Sequence, residues 1–154
     1  MQTPLITFHN AAPSTSTTQY TGAGSCPSGA WGNNNNSART PIGVSGVIST
    51  LYVSGNVSGT GTYTVTMQKN GTDTTLTCQL DLAVGLDISD ITHTVSISAG
   101  DDISFKCVPA GTPTAQTTFC IGILFEATTF GESPIVGGQR LAVSGTTAYY
   151  PFGT

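Results

Sequence analysis

From Val44 to Thr128 oily and polar side chains alternate with a period of two, in short runs broken by Gly, Asn, Ser and Asp. That is the pattern of half-buried β-strands joined by turns. The clearest turn is Asn70-Gly71, because both central positions of a tight hairpin favour positive φ. A two-residue loop there pairs Lys69 with Thr72, and then Met67 with Thr74, Val65 with Leu76 and Tyr63 with Cys78. The other face pairs Thr66 with Thr75, Thr64 with Thr77 and Thr62 with Gln79. One face is almost wholly apolar and the other polar. A slip of one residue would mix them, so the alternation specifies the faces.

A second pair follows the same logic. Ile91, Val95 and Ile97 alternate with Thr92, Thr94 and Ser96; beyond Ser98-Ala-Gly-Asp-Asp102, Ile103, Phe105 and Cys107 alternate with Ser104 and Lys106. The spacing predicts a hairpin with Val95 opposite Phe105, Ile97 opposite Ile103 and His93 opposite Cys107.

The stretch Thr117 to Thr128 is different. Phe119, Ile121, Ile123 and Phe125 make one face, and Cys120, Gly122 and Leu124 make the reverse face weakly apolar as well. A strand that is apolar on both faces is covered on both. Ile48 and Tyr52, out of phase with Val47, Leu51 and Val53, point to the same second surface. Its cover is either another subunit or the chain's own terminal segments. Ile48, Tyr52, Cys120 and Leu124 are therefore the candidate subunit interface.

The ends read differently from the middle. Residues 1–40 form a loop-rich arm with one short strand at Leu5–Phe8, then turn chemistry through Pro13–Thr18, Gly22–Gly29 and Asn33–Asn36. Residues 41–130 are the sandwich core. Residues 131–154 add a strand around Arg140–Val143 and an aromatic tail, Tyr149-Tyr150-Pro151-Phe152. Exposed aromatics are a liability unless they dock, so Trp31, Tyr149, Tyr150 and Phe152 are candidate docking residues. No helical periodicity is present. Five or six central strands, with those of the ends, make up to eight, and turn signals recur about every 8–12 residues, as in a sandwich or barrel.

Composition narrows the function. Only 8% of the 154 residues are charged, and the net charge is −4. The recurring Val, Ile, Tyr and Phe oppose disorder. The cations, Arg39, Lys69, Lys106 and Arg140, are scattered, so neither nucleic acid nor an anionic membrane is an expected partner. No apolar run of about 18 residues exists to span a membrane. Met1 to His9 lacks the basic start and apolar run of a signal peptide, so synthesis in a cytoplasm is expected.

Candidate chemistry is thin. Cys26, Cys78, Cys107 and Cys120 have no C-x-x-C spacing, which disfavours zinc. They read as buried reduced thiols, with a bridge between neighbouring strands as the alternative. His93 shares the parity of Val95 and Ile97 and reads as a core-edge side chain; a Cys107–His93 pair would lie on an apolar face, unsuited to a reactive thiolate. Asp101-Asp102 reads as a turn cap. Asp81, Asp87 and Asp90 could offer oxygens to Ca²⁺, but lack a recognised calcium-loop spacing. Glu126 and Glu132 lack the partners needed for glycoside hydrolysis, and the glycine-rich stretches lack the ending of a phosphate loop. Trp31 beside the Asn run could be a sugar platform, though docking or packing is the commoner role. No catalytic residue, cofactor or metal is expected, and the protein does not read as an enzyme.

The pieces Val47-Ile-Ser-Thr-Leu-Tyr-Val53, Tyr63-Thr-Val-Thr-Met-Gln-Lys-Asn-Gly-Thr72, Leu76-Thr-Cys78, Ser89-Asp-Ile-Thr-His-Thr-Val-Ser-Ile97 and Ala99-Gly-Asp-Asp-Ile-Ser-Phe105 follow one another between Gly46 and Phe125. In order and spacing this run, roughly half of the chain, resembles the TNF-like (C1q-like) jelly-roll modules of phage and prophage structural proteins. The resemblance implies an all-β, antiparallel jelly-roll sandwich with irregular N- and C-terminal segments. It also implies a homotrimer about a three-fold axis, with the C-terminal half near that axis. A place on the virion follows: a capsid decoration (cement) protein, a head fibre knob or part of a tail fibre. No long repetitive shaft is present, which favours a decoration protein whose partner is the major capsid protein. The alternative is a receptor- or carbohydrate-binding knob of a head or tail fibre.

Overall fold

The computed structural model describes residues 2–9, 12–23 and 31–132, and these form ten strands. In chain order they are β1 (Gln2–His9), β2 (Gln19–Gly22), β3 (Thr40–Pro41), β4 (Gly46–Ser54), β5 (Thr62–Lys69), β6 (Thr72–Asp81), β7 (Asp87–Asp90), β8 (Val95–Ile97), β9 (Asp102–Ala110) and β10 (Phe119–Ala127). The first sheet runs β1-β10-β4-β7, with β8 also on β4; the second runs β2-β9-β5-β6, with β3 also on β9. All pairings are antiparallel, and one set of them is nested: β1 with β10, β2 with β9, β4 with β7 and β8, β5 with β6. The protein is all-β, a two-sheet sandwich. No helix of the described residues is long and apolar enough to cross a membrane.

The core is made by the inward rows of the alternation. Leu51, Val53, Ile121, Ile123 and Phe125 come from the first sheet; Tyr63, Val65, Met67, Leu76, Leu80, Ile103, Phe105 and Cys107 come from the second. Phe119 anchors one end, edge-on to Tyr63 and to Trp31 with ring centroids 5.6 Å apart in both pairs. Trp31, expected to dock on a partner, is instead a core side chain, only 5% exposed. A lone indole in a loop-rich stretch has the same sequence signature in either role. The segment expected as an arm with one strand supplies β1, β2 and this indole.

Asn70 and Gly71 form the expected turn, with φ of 53° and 83°. Lys69 pairs with Thr72 and Gln68 with Asp73, but past that point the register changes. Thr74, Thr75 and Leu76 stand on β6 where β5 has only Met67, so Thr66 meets Thr77, Val65 meets Cys78 and Tyr63 meets Leu80. The bulge is held locally: Thr74 Oγ1 donates to the Met67 carbonyl at 2.8 Å, and the Leu76 N–H donates to Thr74 Oγ1 at 3.3 Å. A shift of two residues preserves the faces, so Val65 and Leu76 are both fully buried although they are not partners.

Two other expectations are overturned. Val95–Ile97 does not pair with Ile103–Cys107. β8 lies on β4, with Val95 opposite Ile48, while both edges of β9 are occupied, by β5 on one side and by β2 and β3 on the other. The turn after β8 crosses from one sheet to the other, closed by the Asp101 N–H donating to the Ser98 carbonyl at 3.0 Å. Period-two alternation is the same for strands that pair edge to edge and for strands that face each other across a core. Ile48 is the second correction. Leu124 pairs with Thr50 but Phe125 with Ile48, leaving Ser49 as an extra residue in β4. This bulge inverts the phase of the strand, and Ile48 turns into the core, fully buried, instead of joining an outer surface.

Candidate interface on the outer face of the first sheet

β10 carries the unusual face. Its inward row, Phe119, Ile121, Ile123 and Phe125, is buried, and its reverse row, Cys120, Gly122 and Leu124, is only half-buried. The register aligns that reverse row with its neighbours: Tyr52 opposite Gly122, Ser54 opposite Cys120, and Pro4 opposite Leu124. Tyr52, Cys120, Gly122 and Leu124 then line an open groove of about 610 Å³, with Pro4 and Ile88 at its sides. Gly122 gives the groove a floor without a side chain, beside the Tyr52 ring. Tyr52 is 48% exposed and Ile88 39%. Among the described residues Asp87 is the one carboxylate lining the groove, and burial pushes the Cys120 thiol up, favouring its uncharged form.

Chemically the groove does one thing well. It offers contiguous apolar surface that gains free energy when another apolar surface removes it from water. Of the four interface residues read from the sequence, Tyr52, Cys120 and Leu124 meet here, and Ile48 does not. Pro4 and Ile88 were missed. Pro4 had a signal, since proline in a strand belongs on a sheet edge, and among the described residues β1 pairs with β10 alone. Ile88 sits among Asp87, Ser89 and Asp90, whose polarity hides an apolar surface position. Tyr149, Tyr150 and Phe152 lie outside the described residues.

The other candidate groups are built into the scaffold. His93 is not a core-edge side chain: it is more than half exposed, with Nδ1 2.9 Å from Asp90. Asp90 is buried, and its carboxylate accepts from the Thr77 N–H at 3.2 Å and from the Thr92 N–H at 3.1 Å. Burial opposes its ionisation, but the bonds from His93, Thr92 and Thr77 outweigh that and hold the carboxyl well below the usual range. Because Thr77 lies on β6 and Asp90 on β7, this carboxylate ties the edges of the two sheets together.

Cys107 lies in the second sheet, fully buried, and its thiol is pushed up to about 12 by burial. It forms no pair with His93. Cys78, also buried and pushed up to about 11, donates to the Leu51 carbonyl at 3.3 Å. Cys78, Cys107 and Cys120 are free thiols. Asp81, Asp87 and Asp90 do not converge: among the described residues no three metal-capable side chains cluster. Asp101 caps its turn as expected, accepting from the Ser98 N–H at 2.7 Å. No family model matches this chain, and no curated protein matches it.

Proposed function

We propose that the protein is a virion structural protein: a homotrimer that binds the major capsid protein on the outer surface of a phage head and reinforces the shell. One observation carries this reading, the apolar groove of Tyr52, Cys120, Gly122 and Leu124 on the open face of a sheet whose other face is already packed. The nested pairing of first strand with last supports it, since that is the pairing order of a jelly roll, the fold of the phage modules the sequence resembles. The protein works by burying area and performs no turnover. Sister copies cover the groove around a three-fold axis, and the part of the second sheet's polar face around Thr62, Thr64, Thr77 and Gln79 stays towards solvent.

Light scattering on the purified chain tests the assembly: three copies are expected, and a stable monomer with an intact groove overturns it. Adding the protein to purified phage shells tests the partner. Binding with greater resistance of the shells to heat is expected. Binding to host cells or glycans that blocks adsorption, without shell binding, replaces this reading with that of a receptor- or carbohydrate-binding knob.

A further inference from the structure

The Asn70-Gly71 turn does more than reverse the chain. It is clasped to the crossover that carries β8 into β9. Asn70 Nδ2 donates to Asp101 Oδ1 at 2.7 Å, and Asn70 Oδ1 accepts from the Asp102 N–H at 2.8 Å. The Asn70 N–H donates to the Asp102 carbonyl at 2.8 Å. Lys69 Nζ lies 2.8 Å from the second Asp101 oxygen. On the far side, Asn35 Nδ2 donates to the Gly71 carbonyl at 3.3 Å, and the Arg39 guanidinium occupies the space where a Gly71 side chain would stand. Both ends of one amide side chain, and the Gly71 carbonyl beyond it, are held in place.

Asn70 and Gly71 are also a reactive pair. Glycine leaves its backbone nitrogen unshielded, so in an Asn-Gly sequence that nitrogen can attack the asparagine side-chain carbon. Here a bond would form between Gly71 N and Asn70 Cγ, and the Cγ–Nδ2 bond would break. Nδ2 departs as ammonia with the proton lost by Gly71 N, leaving a five-membered succinimide. Water then opens either carbonyl to give aspartate or isoaspartate; water is the only co-reactant. The departing Nδ2 is the atom that Asp101 holds.

We propose that Asn70 is a spontaneous deamidation site restrained by Asp101 and Asp102, which reacts when the turn releases the β8–β9 crossover. The reaction is then a covalent record of how often this end of the sandwich opens. It does not reverse. An aspartate at this position has lost the donor and faces the Asp101 carboxylate, and an isoaspartate lengthens the backbone of a two-residue turn, so neither product restores the clasp.

Peptide mapping by mass spectrometry of the whole chain, held in mildly alkaline buffer, follows the conversion at Asn70. The native rate is expected to be lower than the rate in denaturing urea by about tenfold or more, because reaction requires local opening. Asp101→Ala is expected to raise the native rate severalfold. Equal rates in native and denatured chains overturn the proposal, as does an unchanged rate in a folded Asp101→Ala variant. Should that variant fail to fold, wild type in urea below its unfolding transition decides: a rising rate supports the clasp and a flat one overturns it. Asn70→Asp, a mimic of one product, is expected to melt at a lower temperature; an unchanged melting temperature refutes the irreversible loss.

Discussion

Two carboxylates show how few charges this chain spends and where. Asp90 and Asp101 both sit at junctions between the sheets, and both are held acidic by the groups they bind. For Asp101 the Lys69 ammonium, the Ser98 N–H and the Asn70 amide bring the carboxyl down to about 2. A folded-state pKa below the unfolded value stabilises the fold above the unfolded pKa, near 4, and that stability is lost as pH falls through the folded value. Thermal unfolding followed across acid pH should therefore show melting temperatures steady above about pH 5 and falling from about 4 towards 2. Asp90→Ala removes the buried carboxylate that accepts from the Thr77 and Thr92 N–H groups and is expected to cost about 1–3 kcal/mol, read from urea unfolding. Phe119→Ala removes a fully buried ring that touches both Tyr63 and Trp31; the expected cost is about 3–5 kcal/mol in the same measurement. Asp101 was legible as a turn cap because Gly-Asp-Asp is local turn chemistry. The role of Asp90 was not, because its partner Thr77 lies on another sheet.

At the level of elements, bulges decide which side chains reach the core. In β4 the extra Ser49 inverts the phase, so that Ile48 is buried and Val47 is half-buried. The start of that strand fits only because residue 46 is glycine: a Cβ there would overlap the Phe125 ring and the Glu126 carbonyl. Gly46→Val is expected to destabilise by about 1–3 kcal/mol or more, measured as a lower urea midpoint with little change in slope. Alternation told that β4, β5, β6, β9 and β10 are strands and, for the last four, which rows face inward; it missed β2, β3 and β7. It did not reveal the bulges, since inserting residues between paired strands leaves each strand's own alternation almost unchanged. The β6 bulge left the faces intact because its shift is even. The β4 bulge, odd in phase, changed them.

For the whole molecule the open question at the outset was what covers the second oily row of β10. If sister copies do, folding and association are linked, and the melting temperature should rise with protein concentration. Leu124→Asp, which sets a charge in the groove, is expected to abolish that rise and return a monomer by light scattering, while circular dichroism stays that of a β-protein. A Leu124→Asp chain that keeps the wild-type mass would remove the groove from the interface.

The chain by itself determined its central strands β4, β5, β6, β9 and β10, its all-β class, the Asn70-Gly71 reversal and the surplus of apolar positions at Tyr52, Cys120 and Leu124. These follow from side chains alternating across an extended backbone and from glycine's tolerance of positive φ, both properties of near neighbours in sequence. Tertiary structure alone decided that β8 joins β4 while β9 lies in the other sheet, that Ile48 and Trp31 are core, and that Asp90 reaches Thr77. Those outcomes depend on which edges remain open and which volumes remain to be filled once the two sheets close on each other, and short-range patterning carries no record of either.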